Sequence, residues 1–224
     1  MLTQIYEVSS AQEAAAISEM GVDHIGVLVG DGSFPREQPL ASAVEIAAAI
    51  RPPSKFSALF LSADIAFVVR AIRELEPAIV HLGAAPELVA PEHMLGLKRV
   101  VADILLMRSV PVTGLESIEI AQRYEGIADY LLLDSYRVKD RQIGALGVTH
   151  DWSISRQIVE RVRTPVILAG GLGPENVAEA IRVVGPAGVD SKTKTDIGDT
   201  HTKDLEKVRR FESAAKQAGR SMQP

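Results

Sequence analysis

Residues 164–177, TPVILAGGLGPENV, constrain this chain more than any other stretch. Val166, Ile167 and Leu168 form an apolar run of the length and kind that a buried parallel strand needs. Gly170 and Gly171 follow at once. Pro174, Glu175 and Asn176 are then predicted to open an apolar-periodic helix over Val177–Val184, with proline at the first helical position and glutamate complementing the dipole. Backbone without side chains between a strand and a helix lets N–H groups point at an anion. A lone Gly-Gly makes a tight turn equally well, so the next strand decides the reading. Gly188, Val189 and Asp190 lead into Ser191-Lys192-Thr193-Lys194-Thr195, a run of hydroxyl and ammonium groups. Two successive strand ends offering amide, hydroxyl and cationic donors point to a phosphate site. Its candidate residues are Gly170, Gly171, Ser191, Lys192 and Thr193. Lys192 and Lys194 flank Thr193, and their spacing does not say which would meet a phosphate.

The same alternation runs along the whole chain. Strands are predicted over residues 2–8, 24–29, 56–61, 78–82, 100–107, 130–133, 166–168 and 188–190. Helices are predicted over 11–20, 41–50, 63–75, 91–97, 115–124, 152–162, 177–184 and 204–218. Ser9 or Ser10 can cap the first helix, Glu13 is placed for a capping box, and Gly21 ends it. Eight β–α repeats in 224 residues, 46% of them hydrophobic and with no linker between them, fit one domain over residues 1–224. The expected fold is α/β, a single-domain (β/α)8 TIM barrel, with an open doubly wound sheet as the rival. In such a barrel the active residues sit at the C-terminal ends of the strands.

Composition removes several function classes. A net charge of −5 and a pI near 5.6 leave no general footprint for nucleic acid, and 4% aromatic content leaves no base-stacking surface. The chain has no cysteine, which excludes disulfides, thiolate nucleophiles and thiolate metal sites. No group of His, Asp and Glu has metal-ligand spacing, and no cofactor is called for. No segment approaches the length of a membrane span, and the N-terminus lacks the regions of a secretory signal, so a cytoplasmic location is the default.

The strand ends select the residues that can carry chemistry. Asp134 is the sharpest, because the run Tyr130-Leu131-Leu132-Leu133 delivers one carboxyl to the active face, where partial burial would raise its pKa; the structural alternative is a cap. Glu7 and His81 are further proton-transfer candidates, and Tyr6 and Arg36 lie where a substrate would pass. His81 fits a packing role equally well. Arg36 suits forked recognition of a carboxylate. Arg108 reads as a solvated charge or a rim ion pair. Gly144 and Gly147, inside the long polar segment 134–151, suggest a loop that closes over the site, or a plain surface connection.

Together these residues resemble the phosphoribosylanthranilate isomerase family of tryptophan biosynthesis, along nearly the whole chain. Residues 15–26 resemble the family's first helix and second strand, and residues 131–135 its general-acid strand. Gly144 to Gly147 with Thr149, then Asp151 and Trp152, resemble its glycine-rich loop and the Asp-Trp after it. Residues 168–177 are the most specific match. Gly188 to Asp190, with Lys203 and Asp204, resemble its last strand and final helix start. The resemblance implies an Amadori rearrangement of an aminoaldose phosphate into an aminoketose phosphate. It places Asp134 on the general acid, Arg36 near the contact for the anthranilate carboxylate, and Gly170–Gly171 with residues 191–194 on the phosphate grip. The family's strand-one Cys-Gly pair is replaced by Tyr6 and Glu7. Its Gln-Leu-His-Gly segment has become His81-Leu82-Gly83-Ala84, and its Ser-Ser-Gly loop Lys192-Thr193-Lys194. Three altered segments around a retained acid imply a relative acting on a changed phosphorylated substrate. The alternatives are an authentic isomerase with a replaced base and a non-catalytic barrel that binds a phosphometabolite. The implied partner is a phosphorylated small molecule, with no nucleic acid or membrane, in a monomer or homodimer.

Overall fold

Eight parallel strands close on themselves in the computed structural model, which describes residues 1–222 apart from positions 102, 138, 140 and 141. In chain order the strands are β1 (Leu2–Ile5), β2 (His24–Leu28), β3 (Lys55–Phe60), β4 (Ile79–Leu82), β5 (Leu105–Pro111), β6 (Tyr130–Asp134), a hairpin of β7 (Tyr136–Arg137) and β8 (Gln142–Ile143), then β9 (Val166–Leu168) and β10 (Gly188–Ser191). The barrel order is β1-β2-β3-β4-β5-β6-β9-β10, and the ring shuts by pairing Leu2 with Gly188 through Ile5 with Ser191. Helices α1 (Ala11–Glu19), α2 (Leu40–Ala49), α3 (Ile65–Leu75), α4 (Pro91–Val100), α5 (Glu116–Arg123), α6 (Trp152–Arg161), α7 (Val177–Val184) and α8 (Leu205–Ser221) follow the barrel strands in turn. The expected (β/α)8 barrel is the fold, and the open sheet is excluded by the β1–β10 pairing.

Strand alternation divides the apolar residues into two cores. Ile5, Ile25, Phe56, Ala58, Val80, Leu106, Leu131, Leu133, Val166, Leu168 and Val189 point outward and pack with the helices. Tyr6, Ile79, Met107, Leu132, Ile167 and Ala169 point into the barrel. Gly26 makes room for the Tyr6 ring, because a Cβ at position 26 would overlap it.

Element boundaries moved for physical reasons. β1 stops at Ile5, three residues early, because Glu7 takes a left-handed backbone (φ +57°) that no strand continues through. The fifth strand was expected from residue 100, but α4 holds its last turn through Lys98, Arg99 and Val100, where basic side chains suit the dipole. β5 begins at Leu105, and position 102 of the expected strand lies outside the described residues. That shift puts Arg108 inside the strand rather than at the rim. It is fully buried, donates from Nη1 to the Leu82 carbonyl (2.5 Å) and from Nη2 to the Ala84 carbonyl (2.7 Å), and lies 5.1 Å from the Tyr124 ring centre. The expected solvated charge is instead a brace for the chain after β4. Pro174 precedes α7 by three residues instead of opening it. Asn176 holds the cap position and braces the glycine turn, accepting from Gly173 N (2.8 Å) and donating to Gly171 O (3.1 Å). Ser10 caps α1, while the Glu13 carboxylate accepts from the Ser9 amide (2.9 Å). The long segment after β6 carries the β7–β8 hairpin, with positions 138, 140 and 141 outside the described residues.

Gly26→Ala is expected to destabilise the barrel by about 1–3 kcal/mol through overpacking against Tyr6, read as a thermal midpoint several degrees lower. Pairing it with Tyr6→Ala should recover part of the loss. An unchanged midpoint in the single variant would refute the packing argument.

Candidate active site

A cavity of about 420 Å³ opens at the C-terminal ends of the strands, where Tyr6, Glu7, Arg36, His81, Ser109, Asp134, Asp190 and Lys192 meet. A narrow extension runs from it toward Gly147, Gly170, Gly171 and Thr193. Asp134, Asp190 and Lys192 line both spaces. A ligand reaching from the wide end to the glycine turn would therefore pass the two aspartates.

Asp134 ends β6 on the inward parity of Tyr130 and Leu132. Its Oδ1 accepts from the Ser135 amide (2.7 Å) and hydroxyl (3.3 Å). Burial pushes the carboxyl up to about 7, and the two Ser135 bonds hold it back only in part. A group poised there exchanges protons readily at neutral pH. Gly144 leaves the space this carboxylate occupies, since a Cβ would collide with Oδ2.

Across the barrel, Tyr6 Oη lies 2.7 Å from Ser57 Oγ and 2.8 Å from His81 Nδ1, and His81 Nε2 lies 2.7 Å from Ser109 Oγ. Burial raises the Tyr6 phenol well above its ordinary value, and burial with the nearby Arg108 charge lowers His81 to about 3. His81 is thus a neutral imidazole with both ring nitrogens engaged, a positioning geometry more than a shuttle.

Glu7 and Arg36 face one another as left-handed residues, with φ +57° and +70°. Paired non-glycine strain of this kind costs on the order of 1–3 kcal/mol per residue and persists where the surroundings over-determine it. Arg36 Nε lies 2.8 Å from Glu7 Oε2 and Nη2 lies 3.2 Å from Oε1. Lys192 Nζ stands 3.5 Å from the same Oε2, 3.0 Å from Asp196 Oδ2 and 2.8 Å from His201 Nδ1. Lys203, fully buried, closes the chain at 2.6 Å from Asp196 Oδ1. The Lys192 ammonium is drawn into this ion cluster instead of standing over the glycine turn.

At the narrow end Gly170 and Gly171 both have positive φ (+84° and +61°), which suits glycine alone. A Cβ at Gly171 would meet the Val148 and Thr149 backbone at 2.7–3.0 Å, so the segment after β8 packs directly on the turn. Ser191 Oγ donates to the Leu172 carbonyl (2.7 Å), tying β10 to that turn. Thr193 Oγ1 is buried with no hydrogen-bond partner among the described residues and faces this extension. Gly147 lies against the Thr193 methyl, and Lys194 is exposed. Among the described residues no group of three or more His, Cys, Asp or Glu is placed to hold a metal ion, and no helix is long and apolar enough to cross a membrane.

Sequence reasoning passed over Asp190, Gln4, Ser57 and Ser109. Asp190 pairs with Gln4 across the β1–β10 seam and accepts from its Nε2 (3.2 Å). The signal was present as strand parity, because Asp190 follows Gly188 by two residues, as Asp134 follows Leu132.

A family model described as N-(5'phosphoribosyl)anthranilate (PRA) isomerase matches residues 3–214. A protein of Methanocella arvoryzae named N-(5'-phosphoribosyl)anthranilate isomerase is 36% identical over 210 residues, covering 93% of this chain and 94% of the relative. The solved isomerase of that name from Pyrococcus furiosus superimposes with a TM-score of 0.76 at 26% identity, over 97% of this chain and 99% of the other. A further isomerase structure, in complex with reduced 1-(o-carboxyphenylamino)-1-deoxyribulose 5-phosphate, shares the fold with a TM-score of 0.77 at 23% identity, over 97% and 100%.

Because the folded Asp134 pKa is raised to about 7, this group binds its proton more tightly folded than unfolded. Its contribution is fully present below the unfolded value near ~4 and is lost as pH rises through 7, by up to about 4 kcal/mol. Asp134→Asn should remove that decline and exceed the parent in stability at pH 8, measured by denaturant melts at pH 5 and 8. Parallel losses in both proteins would rule out a buried neutral Asp134.

Proposed function

The chain belongs to the phosphoribosylanthranilate isomerase family, an isomerase-class enzyme on a (β/α)8 barrel, and on that premise we propose that it is an authentic N-(5'-phosphoribosyl)anthranilate isomerase. Near full-length similarity to relatives bearing that name favours this reading over the changed substrate expected from the altered segments. The non-catalytic barrel is set aside with it. One observation carries the assignment: a buried carboxyl titrating near 7, Asp134, stands between a wide cavity end holding Arg36 and a narrow end built on the glycine turn.

The substrate of this reaction has three parts to recognise. Its carboxyphenyl end belongs in the wide cavity, where Arg36 supplies a forked donor for the carboxylate. Its phosphate belongs at Gly170, Gly171 and Thr193, with the orphaned Thr193 hydroxyl free to donate. Lys192, though engaged with Glu7 and Asp196, adds a positive field to the same wall. The ribose then lies against Asp134. In the first step Asp134 gives its proton to the ring oxygen as the bond from C1 to that oxygen breaks, and the nitrogen lone pair forms the C1–N double bond. Removal of the C2 proton then sends the C–H electrons into a C1–C2 double bond and returns the C–N electrons to nitrogen. Loss of the enol hydroxyl proton and protonation of C1 complete the ketose, with no net change in protons or electrons.

Glu7 serves in this scheme to present Arg36, since its Oε1 accepts from Arg36 Nη2 and its Oε2 is ion-paired with Arg36 Nε and Lys192. His81 serves to hold Tyr6 and Ser109. Gly144 and Gly147 let the segment after β8 lie over the ribose and phosphate.

Freshly prepared phosphoribosylanthranilate should be consumed by the parent protein, followed as loss of its fluorescence. Asp134→Asn should lower kcat/KM by about 10²–10⁴-fold, and Arg36→Gln should raise KM more than it lowers kcat. A folded parent protein that leaves the compound unchanged would overturn the assignment.

A further inference from the structure

The rearrangement needs a base at C2, and the groups nearest strand one are otherwise engaged. The Tyr6 hydroxyl is held between Ser57 and His81, both His81 nitrogens are occupied, and Glu7 is clasped by Arg36 and Lys192. We propose that Asp190 is the general base, facing Asp134 across the ribose position as the second half of an acid–base pair. This inference rests on the isomerase reading above.

Three observations carry it. Asp190 and Asp134 are the two carboxylates that line both the wide cavity and its narrow extension. They therefore flank the segment between the carboxyphenyl and phosphate ends, where C2 and the ring oxygen must lie. Asp190 is also aimed by its surroundings. Gln4 Nε2 holds Oδ1 at 3.2 Å, and Gln4 Oε1 lies 3.2 Å from His24 Nδ1, so a buried relay from the barrel floor sets the carboxylate. The third observation is electrostatic. Burial, and then the facing Asp134 charge, push Asp190 up, while the Gln4 bond and the Lys203 ammonium favour its charged form and Glu7 opposes it. Two buried carboxyls in one cavity resist ionising together, so the pair holds a single proton. Asp190 is the more strongly raised of the two, so the shared proton rests mainly on it, and catalysis draws on the minor tautomer with the proton on Asp134 and the charge on Asp190.

The step balances within the pair. Asp134 loses its proton to the ring oxygen, and Asp190 takes the C2 proton as the C1–C2 double bond forms. C1 is then protonated while the enol hydroxyl gives up its proton, which returns the pair to its starting charge.

The test compares the full-length parent with Asp190→Asn, Asp190→Ala and Glu7→Gln on phosphoribosylanthranilate, with folding checked by circular dichroism. Binding of reduced 1-(o-carboxyphenylamino)-1-deoxyribulose 5-phosphate is measured beside turnover. The expected result is a fall in kcat of at least about 10²-fold for both Asp190 variants, with analogue binding kept within a few-fold. Added formate should restore part of the Asp190→Ala activity, a rescue that a purely structural role would not give. Glu7→Gln should act mainly on KM. Asp190 variants that turn over within tenfold of the parent, or a Glu7→Gln variant that alone abolishes kcat, would overturn the assignment of the base and leave the isomerase standing. Asp190 variants that are folded, inactive and unresponsive to formate while losing the analogue would assign Asp190 to binding and overturn its role as base. A parent that binds the analogue without turning over the substrate would sink the isomerase reading, and the base with it.

Discussion

The two-residue alternation of a closed parallel barrel is the constraint on which the rest of this molecule depends. Once β1 pairs with β10 there is no free edge, and every second side chain has to fill the interior or face the helices. The outward set is almost wholly aliphatic and supplies the larger core. The inward set is mixed, with Ile79, Met107, Leu132 and Ile167 packed beside Gln4, His24, Ser57 and Asp190. Those polar groups are tolerated because they find partners in one another, as buried polar atoms must. The cavity opens where that inward column reaches the mouth.

Desolvation at the mouth then sorts the ionisable groups into roles. It keeps His81 neutral, holds the Tyr6 phenol protonated and brings Asp134 to about 7. The cations take the opposite course: Arg36, Lys192 and Lys203 alternate with Glu7 and Asp196 in a linked cluster of ion pairs. One side of the cavity thus gathers buried, hydrogen-bonded groups and the other a chain of ion pairs. Tyr6 fits this division, since the phenol joins the hydrogen-bonded floor and Gly26 yields the volume for its ring.

Much of this was legible in the sequence because it is local. The glycine turn after β9, the β–α rhythm and the carboxyl closing β6 follow from apolar runs, glycine and strand parity. The errors were local as well. Val100 lies in an apolar stretch that suits either state, and helix α4 claimed it because Lys98 and Arg99 in its last turn suit the dipole. Pro174 looked like a helix start, yet Asn176 holds the cap position of α7 and secures the turn with both ends of its amide.

The sequence by itself determined the eight β–α repeats of the barrel, the absence of thiol chemistry and the place of Asp134 as a carboxyl of the mouth. The tertiary structure alone decided which charges answer one another. Glu7 meets Arg36 over 29 positions, Gln4 meets Asp190 over 186, and Arg108 turned out to be a buried brace. Periodicity reports which face of a strand a residue occupies, whereas partner choice and desolvation arise only when barrel closure brings distant strand ends into one low-dielectric space.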